Sequence, residues 1–197
     1  MNELKTVCVF CGANAGNQPV YVQMAVALGQ ELAARAMTLV YGGGSVGLMG
    51  EVARTVRDGG SPVVGFIPEH LTTEELMGYP IGELVVVQTM HERKAKMAEM
   101  ADAFVALPGG FGTLDELFEA ITWGQLGLHQ KPIGLLNVAG FFDPLVRYID
   151  HCLEQGFIRP QHRGLFLVDD QPARLLDRLA AYLPPSGLAT PEGLERA

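Results

Sequence analysis

Three glycines and two carboxylates lie within one short stretch of the chain, residues 108–116. The stretch follows an apolar run, residues 103–107, that predicts a buried strand, and it leads into a helical pattern. Glycines between a strand and a helix leave backbone N–H groups free to converge on an anion at the positive end of the helix dipole. The pattern therefore predicts a phosphate-binding loop with an acid beside it. Its expected binding residues are Gly109, Gly110, Gly112 and Thr113.

The two carboxylates, Asp115 and Glu116, also have a purely structural explanation. If the helix begins at Thr113, then Thr113 and Glu116 form a capping box, in which Glu116 would bond back to the backbone of Thr113. Asp115 would complement the helix dipole from the first turn. The spacing alone leaves capping and catalysis as equal alternatives for Glu116, and it favours the dipole role for Asp115.

A second candidate wall of the site is the helix predicted over residues 89–101, which opens with a capping-box pattern. Residues at i, i+3, i+4 and i+7 lie on one side of a helix. On this helix that side carries Met90, Arg93, Lys94 and Met97. A solvated cationic face is the usual explanation for such a cluster. A side that mixes methionines with cations is nevertheless suited to a pocket wall.

Residues 42–47 satisfy the G-x-G-x-x-G pattern of dinucleotide-binding loops. They follow the second predicted strand rather than the first, and the nearest acid, Glu69, lies just past Pro68. These departures disfavour binding of a nicotinamide dinucleotide. Gly43 and Gly44, together with Gly12 after the first strand, are expected instead to border a phosphate or ribose pocket. A tight turn without any ligand is the alternative.

Strands alternate with helices along the chain, and most strands are continuous apolar runs, as in a parallel sheet covered on both faces. They are predicted at residues 6–10, 38–41, 63–67, 83–88, 103–107, 132–136 and 165–168. The fold class is therefore α/β, a Rossmann-like, doubly wound parallel sheet of about six to seven strands with helices on both faces. Such sheets bind ligands at the carboxyl ends of their strands, where all three glycine-rich segments lie.

The chain of 197 residues predicts a single domain over residues 1–183. One short helical turn is expected around residues 73–77. The last segment, residues 184–197, is rich in proline, glycine and charge and is predicted to be a mobile tail.

Charge and composition narrow the function classes. The net charge of −8 argues against nucleic-acid partners, and the lack of a long apolar run argues against a membrane span. Three cysteines and no signal-peptide pattern predict a reduced, cytoplasmic protein. Cys8 and Cys11 are expected on opposite faces of the first strand as core residues rather than as a redox pair. The five histidines lack metal-ligand spacing, so no metal site is expected.

Two stretches together carry a family likeness: residues 90–94 (MHERK) and residues 108–116 (PGGFGTLDE) resemble the signature of the LONELY GUY family. Further likeness at residues 9–12, 40–50 and 123–127 extends the resemblance over nearly the whole chain. The family comprises cytokinin riboside 5′-monophosphate phosphoribohydrolases, often labelled possible lysine decarboxylases. Two departures from its pattern are Ala13, where relatives usually have Ser, and Asp115, where Glu is more usual.

The resemblance implies hydrolysis of the N-glycosidic bond of adenosine 5′-monophosphate or an N6-modified derivative, giving the free base and ribose 5-phosphate. It implies Arg93 and Glu116 as the catalytic pair, with no metal or cofactor. Met90 and Lys94 are expected to contact the substrate. The resemblance also implies a site near a dimer interface, and hence a homodimer or a higher even oligomer.

Two other functions remain open on the sequence. Related folds carry phosphorylated cofactors such as molybdopterin, so a non-catalytic binding protein is one alternative. Lysine decarboxylation is the other, but it requires a pyridoxal phosphate Schiff-base lysine, and no lysine of the chain lies in a matching motif. The sequence leaves open whether the base is adenine or an N6-prenylated adenine.

Overall fold

Seven parallel strands form one sheet in the computed structural model, which describes residues 3–72 and 80–188. The strands are β1 (Thr6–Phe10), β2 (Thr38–Tyr41), β3 (Val63–Pro68), β4 (Glu83–Val87), β5 (Ala103–Ala106), β6 (Ile133–Leu136) and β7 (Leu167–Asp169). Their order across the sheet is β4-β3-β2-β1-β5-β6-β7. The predicted fold class, a doubly wound α/β sheet, is confirmed.

The helices cover both faces of the sheet. They are α1 (Pro19–Ala34), α2 (Gly47–Asp58), α3 (Met90–Met100), α4 (Phe111–Gln125), α5 (Asp143–Glu154) and α6 (Pro172–Ala180). One apolar core lies between the sheet and α1, α2 and α6. The second lies between the sheet and α3, α4 and α5. Cys8 belongs to one core and Cys11 to the other, which confirms their predicted placement on opposite faces.

The order of the strands reverses between β1 and β5. The chain runs outward from β1 to β4, and then returns to place β5 against the other side of β1. The ends of these two strands are level, with Phe10 opposite Ala106. The loops that follow them are joined by a hydrogen bond from the N–H of Gly12 to the carbonyl of Pro108, 3.0 Å long. This is the switch point at which a doubly wound sheet binds its ligand.

Most element boundaries lie within two residues of those predicted. The last strand begins later, at Leu167, because residues Pro160–Leu165 form a 3-10 helix. The short helical turn predicted at residues 73–77 and the end of the predicted tail, residues 189–197, lie outside the described residues. None of the helices in the described part is both long and apolar enough to span a membrane.

Candidate active site

A cavity of about 430 Å³ opens at the switch point. Its wall is built from the loops after β1 and β5, from the first turns of α1 and α2, and from α3 and α4. Of the predicted site residues, the cavity is lined by Gly12, Met90, Arg93, Gly109, Gly110, Gly112, Thr113 and Glu116. Lys94, Gly43 and Gly44 are not among the described lining residues. Most of the residues predicted for the site, from three separate segments of the sequence, therefore lie around one cavity.

The loop after β5 is shaped by close approach on one side and by open space on the other. A Cβ atom on Gly109 would overlap the hydroxyl of Thr113 and would lie 2.9 Å from the backbone nitrogen of Gly12. At Gly110 and Gly112, by contrast, a Cβ atom would meet nothing within 4 Å. The loop thus packs tightly against its neighbours through Gly109, and leaves Gly110 and Gly112 open to the cavity.

The N-terminus of α4 faces this cavity. Gly110 is the N-cap residue, and no side chain caps the helix there. The first N–H groups of a helix have no partner within the helix and lie at the positive end of its dipole. This end of α4 can therefore donate to an anion, and the buried Thr113 supplies a hydroxyl beside it.

The capping-box interpretation of Thr113 and Glu116 is wrong. The helix begins at Phe111, two residues earlier than predicted, so Thr113 lies inside the first turn and Glu116 lies beyond it. No acidic residue lies in that first turn. The prediction that Asp115 complements the helix dipole from the first turn is therefore also wrong. Glu116 instead points into the cavity wall with 9% of its surface exposed.

Arg93 and Glu116 form a buried pair across the two helices. Nη2 of Arg93 donates to Oε1 of Glu116 at 3.3 Å, and the two side chains are only 6% and 10% exposed. The solvated cationic face is therefore ruled out for Arg93. A carboxylate and a guanidinium that are held together with little water can stabilise opposite charges as they develop on a bound ligand.

Lys94, the next residue on α3, is not among the described lining residues of the cavity. Its ammonium contacts Asp115 at 3.0 Å and Glu119 at 3.1 Å, both on α4. Burial alone would lower the pKa of Lys94, but the hydrogen bonds that its ammonium donates to these two carboxylates outweigh this effect and raise that pKa. Lys94 thus joins α3 to α4 through ion pairs, directly beside the ion pair of Arg93 and Glu116.

The space beside the second glycine-rich loop, residues 42–47, is occupied by other parts of the protein. Gly43 and Gly44 are buried, and a Cβ atom on Gly43 would lie 3.1 Å from the side chain of Leu84. The N-terminus of α2, which follows the loop, already has an acceptor, because the N–H groups of Leu48 and Met49 donate to the carbonyl of Gly12 at 3.0 and 3.3 Å.

Two aromatic residues of the cavity were not predicted from the sequence. Tyr21, in the first turns of α1, and Phe141, in the loop after β6, meet edge to face with ring centroids 5.9 Å apart. Their position next to the carboxyl ends of β1 and β6 was the available signal. Both rings are only partly buried, because Tyr21 is half-buried and Phe141 is 37% exposed. Neither residue therefore belongs to the apolar pattern that marks core positions in the sequence.

Other chemistry has little support at this site. Cys11 lines the cavity, but burial and the nearby charge of Glu116 raise the pKa of its thiol, so the reactive thiolate is disfavoured. Within residues 3–72 and 80–188, no three side chains of His, Cys, Asp or Glu are grouped as metal ligands would be.

The fold and the cavity define a doubly wound α/β protein with a candidate ligand site at its switch point. A family profile described as "Possible lysine decarboxylase" matches residues 49–179. The cytokinin riboside 5′-monophosphate phosphoribohydrolase LOG of Oryza sativa subsp. japonica is 50% identical over 93% of this chain and 76% of its own length. LOG1 of Arabidopsis thaliana is 49% identical over 93% of this chain and 86% of its own. The chain belongs to this family, which confirms the resemblance seen in the sequence.

Solved structures share the fold at lower identity. A Moco carrier protein from Chlamydomonas reinhardtii superposes with a TM-score of 0.68 over 92% of this chain and the whole of that one, at 21% identity. At this identity the likeness shows the fold alone.

Proposed function

We propose that this protein hydrolyses the N-glycosidic bond of a nucleoside 5′-monophosphate, with adenosine 5′-monophosphate or its N6-modified derivatives as substrates. The observation that carries the proposal is the buried pair of Arg93 and Glu116 in the same cavity as the uncapped N-terminus of α4. The relatives at about half identity, which are named phosphoribohydrolases for cytokinin riboside 5′-monophosphates, support this substrate class.

In this proposal the 5′-phosphate binds at the N-terminus of α4. The backbone N–H groups of the first turn and the hydroxyl of Thr113 donate to its oxygens, while Gly110 and Gly112 leave room for it. Gly12 allows the loop after β1 to approach the loop of this phosphate site closely, since a Cβ atom there would lie 3.4 Å from the Cα atom of Gly109. Binding of the remote phosphate positions the ribose for the reaction.

Glu116 then acts on the ribose. As the bond between C1′ and the base nitrogen breaks, positive charge develops on the sugar, and a carboxylate beside it stabilises this oxocarbenium-like state. Glu116 also takes a proton from the water that attacks C1′, and the departing base gains a proton overall. The products are the free base and ribose 5-phosphate.

Arg93 and Met90 form the other side of the reacting centre. The guanidinium of Arg93 donates to the carboxylate of Glu116 and can also donate to the departing base. Met90 lines the cavity one helical turn away, with its sulfur 3.7 Å from Nη1 of Arg93. Since Lys94 is engaged with two carboxylates, its proposed role shifts from direct substrate contact to holding α3 against α4.

The positions of the lysines do not favour the decarboxylase label. A Schiff base with pyridoxal phosphate needs a neutral amine at the ligand. None of the four lysines is among the described lining residues of the cavity. Lys131 donates to two carbonyls at the end of α3, Lys5 and Lys96 pair with surface carboxylates, and Lys94 is held charged.

The proposal includes a homodimer. The outer side of α4 carries Phe118, 38% exposed, and two leucines follow the end of the helix, Leu126 at 37% and Leu128 at 60%. A groove on this side reaches Asp115, which also lines the cavity, so a second copy packed there would lie next to the site. Light scattering that gives the mass of one chain at micromolar concentration would contradict this part of the proposal.

Product analysis tests the function. Purified protein is incubated with the 5′-monophosphates of adenosine, N6-isopentenyl-adenosine, guanosine and cytidine, and with the matching nucleosides. We expect free base and ribose 5-phosphate from the adenine nucleotides, and a loss of at least about 10²-fold in kcat/KM for the nucleosides, because they lack the phosphate that positions the ribose. Stoichiometric binding without product would favour the carrier function, and equal rates with nucleosides would contradict the phosphate site.

A further inference from the structure

We propose that Gly42 is a positioning residue for this reaction, because its missing side chain makes the space in which the guanidinium of Arg93 lies. A Cβ atom on Gly42 would overlap Nη2 of Arg93 and would lie 3.1 Å from its Cζ. The same Nη2 atom donates to Oε1 of Glu116. Any side chain at position 42 therefore displaces the atom that joins the pair. This inference rests on the proposed function.

The backbone of Gly42 gives no reason of its own for glycine. Its φ angle lies outside the left-handed region, whereas that of its neighbour Gly43 is +81°. Alanine at position 42 is therefore conformationally allowed, while alanine at position 43 is strained. The closest obstacle at position 42 is the end of a long side chain, which can move without unfolding the protein. The cost of a larger residue there falls on the placement of Arg93.

The placement of Arg93 depends on this packing because few polar contacts hold it. Its Nε has no hydrogen-bond partner among the described residues. Its Nη1 donates to a thioether, that of Met90 at 3.7 Å, and sulfur is a weak acceptor. The backbone of Gly42, against which the guanidinium packs, supplies the missing constraint.

Gly42, the first residue of the second glycine-rich loop, thus has a function that involves no contact with a ligand. Gly42 directly follows β2 at the carboxyl edge of the sheet, and Arg93 reaches it from α3. The loop that resembles a dinucleotide-binding motif is thereby a support for the catalytic arginine, placed on the protein side of the cavity wall.

The test compares Gly42→Ala with a matched control, Gly134→Ala. Gly134 is buried in β6, and a Cβ atom there would lie 2.9 Å from the end of Leu175, outside the cavity. We expect Gly42→Ala to fold, to keep KM for adenosine 5′-monophosphate within about threefold, and to lose about 10²-fold in kcat, the effect of a misplacement of about 1 Å. The control should lose stability but keep kcat.

A second background separates this proposal from the proposed function. In Arg93→Ala the space is empty, so adding Gly42→Ala should leave the thermal midpoint unchanged or higher and should remove no further turnover. In the wild-type background the same change should lower the midpoint. A wild-type kcat for Gly42→Ala, or an equal drop in midpoint in both backgrounds, would overturn the proposal. If the wild-type protein hydrolyses no nucleotide, the proposed function fails, and the midpoints still measure the contact between the two residues.

Discussion

The two loops that precede α2 and α4 are both rich in glycine, yet the protein uses them in opposite ways. The space beside residues 42–47 is occupied by the protein itself, by Arg93 at one end and by the backbone of Ala13 at the other. The loop before α4 is open at Gly110 and Gly112. The N-termini of the two helices differ in the same way. The carbonyl of Gly12 accepts hydrogen bonds from N–H groups in the first turn of α2, whereas no side chain caps α4. A glycine motif therefore indicates close approach, and the structure decides whether protein or ligand approaches.

The largest effect is expected where the filled loop is most crowded. At Gly47 the φ angle is +58°, and a Cβ atom would overlap the carbonyl group of Ala13. Gly47→Ala should therefore lower the free energy of unfolding by about 3 kcal/mol or more, through backbone strain and a clash with backbone that cannot move aside. Urea denaturation measures this. Gly60→Ala, with a φ of +84° but open space, is the control and should lose only about 1 kcal/mol. Equal losses would show that the filled loop is not tightly packed.

The opposite outcome is expected in the open loop. Gly112→Ala adds a methyl group to the first turn of α4 where nothing lies within 4 Å. It should raise the free energy of unfolding by about 0.5–1 kcal/mol, because alanine is the better helix former. The same methyl group should lower kcat/KM for adenosine 5′-monophosphate by about tenfold or more, because it occupies the space in which the phosphate is proposed to bind. A variant that is both more stable and fully active would mean that the phosphate binds elsewhere.

The fold could be predicted from the sequence because each buried strand is an apolar run and each helix has a clear start or stop residue. The site was predicted less evenly. Gly109 and Glu116 follow from their place after β5, but the role of Glu116 depended on where α4 begins, a matter of two residues. Spacing could not show that Lys94 pairs with Asp115 and Glu119, because the packing of α3 on α4 depends on contacts distant in sequence.

The aromatic part of the cavity was beyond prediction for a related reason. Phe141 is placed by a loop whose conformation is held through Asn137, which accepts from the N–H of Phe142 at 2.7 Å and donates to Asp143. Ala139 in the same loop has a φ of +50°, a conformation that alanine rarely adopts and that nothing in its own sequence signals. Such a loop is determined by its tertiary contacts, so only the structure could bring Phe141 to Tyr21.

Glu116→Gln tests the central claim most directly, because it removes the charge of the carboxylate while keeping its shape and its place beside Arg93. The measurement is kcat for adenosine 5′-monophosphate, together with the affinity for that nucleotide by calorimetry. We predict a loss of at least about 10³-fold in kcat with the affinity changed by less than about tenfold, since the substitution leaves the proposed phosphate site at the N-terminus of α4 unchanged. Turnover near that of the wild-type protein would contradict the assignment of Glu116 as the catalytic residue.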